Sequence, residues 1–104
     1  MLSVLDALRH LGYDEHDEVT SREVAEELEE AKQYLRGAVG EDLFDLLPED
    51  PRIRTLLKAY LDDLHDERGT HSAKAANAKR DMIASTEWQL RLSLSRKREE
   101  AAGE

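Results

Sequence analysis

The chain has 104 residues, of which 39% are apolar, 5% aromatic and 38% charged, and 15 Lys and Arg stand against 24 Asp and Glu for a net charge of -9. That length gives one domain with a thin core and much solvated surface, and the acidic balance disfavours sequence-reading DNA binding, whose strength comes from cationic contacts to phosphate. The absence of cysteine excludes a disulfide framework, a thiolate zinc site and a thiol nucleophile.

The opening "MLSVLDALRHLGYDE" lacks a basic start and a long apolar run, so neither a signal peptide nor a membrane span is expected, and the chain reads as soluble and cytoplasmic. Ser3 followed by Asp6 makes a capping box and Gly12 a stop, which predicts a first helix over residues 4–11. Its Val4, Leu5, Leu8 and Leu11 form one stripe. After the acidic "DEHDE" (residues 14–18), Thr20 with Glu23, flanked by Val19 and Val24 as a hydrophobic staple, predicts the start of a second helix. Val24, Leu28, Ala31, Leu35 and Ala38 carry that helix to Gly40, with Glu26, Glu27, Glu29 and Glu30 on its surface.

"EDLFDLLPEDP" reads as a loop whose Leu43, Phe44, Leu46 and Leu47 tuck under the helices as a plug. Asp50-Pro51 then starts a helix, a capping carboxylate followed by a residue pre-set for the first turn. Ile53, Leu56, Leu57, Tyr60, Leu61 and Leu64 give this helix a broad apolar face, making it the core organiser. Gly69 marks a break, and the last helix is expected to begin between Ser72 and Ala78. Residues 96–104 read as a charged, frayed tail on a single domain of residues 1–95.

The stretch "STEWQLRLSLSR" can be read in two ways. Trp88, Leu90, Leu92 and Leu94 alternate, which is strand periodicity, but a lone strand has no partner within this chain. As a helix, Ile83, Leu90 and Leu94 align on one face and Trp88 and Leu92 lie nearly opposite. The fold expected is therefore all-α, about four helices in a small bundle, with a short C-terminal strand-like segment as the alternative. The core is assigned to Leu28, Leu35, Ile53, Leu57, Tyr60, Leu61, Leu64, Ile83 and Leu90. Trp88 and Leu92 then either meet another subunit or pack inside the domain; the first is favoured because tryptophan is enriched among interface anchors. The basic cluster Arg91, Arg96, Lys97 and Arg98 either complements the negative end of the last helix or meets an acidic face of a neighbour, so Arg91 and Arg96 join Trp88 and Leu92 as subunit-interface candidates.

Little in the chain points to catalysis. "DEHDE" offers hard oxygen ligands but lacks the glycine and terminal glutamate of a calcium loop, and it reads as a solvated lead-in to a helix N-terminus. Asp62, His65 and Asp66 share a helical face yet lack a further ligand. No nucleophile–base pair, phosphate loop or zinc-protease helix is present, so neither an enzyme, a metal site nor a cofactor is expected.

The order of "MLSVLDALRHLGYD", "AKQYLRGAVGED", "DPRIRTLLKAYLDDLHDERG" and "AAN...MIASTEWQLRL" resembles the small head-tail connector proteins of tailed bacteriophages, a group associated with DNA packaging, over about residues 2–95. The resemblance implies a virion structural protein at the head–tail junction, made in the host cytoplasm. Such a subunit forms a homo-oligomeric ring below the portal protein, twelve subunits in the particle, extends the DNA channel and docks a tail-side stopper or completion protein. DNA would be passing cargo only, and a net acidic wall suits that role because like charge prevents tight binding to phosphates. The alternative is an acidic helical regulatory or inhibitor protein, or DNA mimic, acting as monomer or dimer.

Overall fold

The computed structural model describes residues 2–65 and 73–103. Five helices follow in chain order: α1 (Val4–Leu11), α2 (Glu18–Val39), α3 (Leu43–Leu46), α4 (Pro51–His65) and α5 (Ala73–Ala102). The all-α expectation holds; the helix count is corrected to four long or medium helices plus one four-residue helix, and the Trp88–Leu94 segment is helix, with no strand among the described residues.

Local chemistry explains each boundary. Ser3 and Asp6 form the reciprocal capping box of α1, and Gly12 ends it in the left-handed region at φ 78°, where a side chain would be strained. For α2 the cap is Asp17, three residues earlier than expected: its carboxylate accepts the Val19 and Thr20 backbone N–H groups, at 3.0 and 3.3 Å. An aspartate outranks threonine at this position. The Val19 staple is lost in consequence, since that side chain is exposed. The plug residues form the single turn of α3, with Leu43 fully buried and Phe44, Leu46 and Leu47 packed against the core. At α4, Asp50 accepts the Arg52 N–H at 3.0 Å while Pro51 occupies the first turn. The α5 start at Ala73 lies in the expected interval, and the chain expected to fray from residue 96 stays helical to Ala102. The expected break at Gly69 lies outside the described residues.

Ion pairs and hydrogen bonds fix the directions. Asp6–Arg54 and His10–Asp62 run α1 parallel to α4. Arg52–Ser93, Tyr60–Glu87 and Asp63–Lys79 run α4 antiparallel to α5. α2 packs on α1, α4 and α5. The core lies between them: Leu2, Ala7, Leu8, Val24, Leu28, Ala31, Leu35, Val39, Leu43, Ile53, Leu56, Leu57, Tyr60, Leu61, Leu90 and Leu94. Of the expected core, Ile83 is half-buried at its edge. Leu64 is corrected to 47% exposed. It continues the α4 stripe one turn past Tyr60, where α5 presents Arg80 and Ala84, neither able to cover it.

The molecule is a slab of 47 × 35 × 18 Å, about two helix layers thick. Its radius of gyration, 15.2 Å, exceeds the roughly 13 Å of a compact chain of this size. α5, about 45 Å long at 1.5 Å per residue, sets the long axis.

Candidate functional site

Two neighbouring features of α5 stand out once its inner face is accounted for. Leu90 and Leu94 are fully buried, whereas Trp88 and Leu92, two residues away in each case, are 57% and 43% exposed. The helical twist separates them, because a shift of two positions turns the side chain by about 200°. The Trp88–Leu92 pair is thus an apolar stripe on the surface, extended one turn further by the exposed Arg96, which forms no ion pair among the described residues.

The four interface candidates divide. Trp88, Leu92 and Arg96 follow one another at four-residue spacing. Arg91 instead turns inward and donates from Nη1 to the Ala38 carbonyl oxygen at 2.9 Å. It thereby satisfies one of the carbonyls left open at the C-terminus of α2, a partner outside the two alternatives read from the sequence, the end of the last helix and an acidic face of a neighbour. Its guanidinium also lies 5.8 Å from the Trp88 ring centroid, holding the indole from one side. Arg98 forms a two-pronged pair with Asp42, at 2.8 and 2.5 Å, tying the end of α5 to the α3 turn. That guanidinium holds the Asp42 carboxyl below the usual carboxylate range. A lowered folded pKa means the tie is intact above the ordinary carboxylate range and is lost as pH falls through the lowered value. Lys97 pairs within its own helix with Glu100.

Beside the stripe, α2, α4 and the first half of α5 leave an open groove of about 490 Å³. Tyr34, Tyr60, Leu64, Ile83 and Ala84 form its apolar wall, and Glu30, Asp63, Glu87 and Arg80 its rim. Tyr34 and Tyr60 meet edge to face at 4.9 Å. Tyr60 donates to Glu87 Oε2 at 2.7 Å, and burial, reinforced by that carboxylate, pushes the phenol well above its ordinary pKa, so it stays neutral and donating. The sequence carries no direct signal for the groove, because its wall is shared by residues of three helices that are far apart in the chain.

The acidic clusters resolve into structural work. Asp17 caps α2, Asp14 accepts the His16 N–H and Glu15 pairs with Arg9. Asp62 pairs with His10 at 2.8 Å; the His65 side chain and Asp66 lie outside the described residues. Among the described residues no three His, Asp or Glu side chains are grouped to hold a metal, and no helix is long and apolar enough to cross a membrane. No protein-family model, curated protein or solved structure matches the chain.

Proposed function

We propose that the chain is a structural, non-enzymatic subunit that assembles with copies of itself into a ring at the head–tail junction of a tailed bacteriophage. In that setting the ring sits below the portal, extends the DNA channel and offers a docking surface to a tail-side completion protein. The observation that carries the reading is the two-sided α5: Leu90 and Leu94 close the subunit's own core while Trp88 and Leu92 remain uncovered. A tryptophan and a leucine exposed one turn apart gain stability when a partner removes them from water. The net charge of -9 supports the channel role, because passing DNA is repelled rather than bound.

Light scattering across a concentration series, alone and with a portal protein added, tests this reading. The expected species is ring-sized, in isolation or on the portal, with no measurable complex with duplex DNA at moderate salt. A chain that stays monomeric or dimeric under both conditions overturns the connector reading and favours the acidic inhibitor.

A further inference from the structure

We infer that the groove between α2, α4 and α5 is the socket for the Trp88–Leu92–Arg96 stripe of a second copy, so that subunits join head to tail. This rests on the self-assembly reading above and names its contact surfaces. Charge selects the occupant. The rim carries Glu30, Asp63 and Glu87 against Arg80 alone, and Asp63 is already paired with Lys79. Glu30 is exposed and has no ion pair among the described residues. Within the same chain, Arg96 is likewise exposed with no ion pair among the described residues, and it continues the exposed Trp88–Leu92 stripe one turn beyond Leu92. An apolar wall with an acidic edge and an apolar stripe with a basic end are complementary in both respects.

Geometry separates a head-to-tail contact from a two-fold one. Arg80, Ile83, Ala84 and Glu87 mark where α5 faces the groove. At about 100° per residue, their mean direction lies roughly 130° around the helix from that of Trp88, Leu92 and Arg96. The centres of the two sets are also about 13 Å apart along the axis. A stripe turned this far from the groove favours a different neighbour at each surface over one partner that covers both. Each copy then offers its stripe to one neighbour and its groove to another, which generates a closed ring or an open filament.

The chain has no cysteine, which permits a direct test. Glu30→Cys and Arg96→Cys proteins, mixed and oxidised, are expected to cross-link to each other in preference to themselves, and the double variant is expected to form ladders longer than two chains. Glu30→Arg and Arg96→Glu should each weaken self-association several-fold with melting temperature unchanged, and together restore most of it. A double-cysteine ladder that stops at two chains overturns the head-to-tail contact. Oligomers that form with no cross-link between positions 30 and 96 overturn the socket while leaving self-assembly standing. A chain that remains monomeric with and without portal overturns both.

Discussion

Helices α4 and α5 cross each other in the same core but are held there by different means. In 15 residues α4 buries Ile53, Leu56, Leu57, Ala59, Tyr60 and Leu61, while α5, twice as long at 30 residues, fully buries only Leu90 and Leu94 among its described side chains. Discrete polar ties hold the rest of α5: Lys79 to Asp63, Glu87 to Tyr60, Ser93 to Arg52, Arg91 to the Ala38 carbonyl and Arg98 to Asp42. Apolar burial is worth about 25 cal/mol per Å² and accumulates with area, whereas an exposed ion pair contributes about 0–1 kcal/mol. α4 therefore specifies the subunit. α5 completes it with a few contacts and keeps most of its surface for something else.

The widest gap between the two helices should appear on placing a charge at Leu57, which is fully buried in the middle of the α4 stripe. Leu57→Asp buries a carboxylate with no partner and should cost more than about 4 kcal/mol, leaving the domain unfolded by circular dichroism at room temperature. A folded Leu57→Asp protein would break the contrast by showing that α4 is dispensable to the core.

A finer test lies within α5. Leu94→Ala should cost about 2–5 kcal/mol in urea denaturation, since Leu94 is fully enclosed and packs close to the backbone of Gly40. A Cβ built on Gly40 would come within 2.6 Å of a Leu94 methyl, so the absence of a side chain there is what lets α5 approach the end of α2. Ile83→Ala, at the half-buried margin of the groove, should cost about 1 kcal/mol, because part of that side chain is already in water. Equal losses at the two positions would mean that the groove is closed in solution.

The sequence is most readable where a local rule acts alone. The Ser3 box, the Gly12 stop, Asp50-Pro51 and the α4 stripe up to Leu61 depend on neighbours within one turn, and each stands where its spacing puts it. Thr20 fails as a cap because the helix already begins one turn earlier, where Asp17 accepts the Val19 and Thr20 N–H groups and leaves Thr20 inside the helix, and local pattern alone does not rank two candidates one turn apart. Leu64 fails as core for a different reason: its periodicity is correct, but whether a stripe is covered depends on the facing helix, which is Arg80 and Ala84 there. The groove was hidden for the same reason, being a property of three helices at once. Arg91 shows the remaining limit, since its partner, the Ala38 carbonyl, is 53 positions away in the chain.

The smallest effect on stability belongs to the outer stripe, and there the contrast between the helices is sharpest. Trp88→Gln with Leu92→Gln exchanges two side chains that are 57% and 43% exposed, so the subunit should lose no more than about 0.5 kcal/mol and keep its cooperative urea transition. Assembly measured by light scattering should nevertheless fail, because those side chains are the apolar part of the proposed contact. Trp88 is the sole tryptophan, so wild-type fluorescence reports this position alone. In dilute monomer the emission should be that of a partly wet indole, with one side held by Arg91, and it should move to shorter wavelength as concentration drives association. The two readouts constrain each other. A blue shift with concentration that disappears on Glu30→Arg ties the indole to the groove of a neighbour. A monomer whose emission is already that of a buried indole, and whose double exchange unfolds it, would make α5 a second α4, and the surplus surface on which the assembly argument stands would not exist.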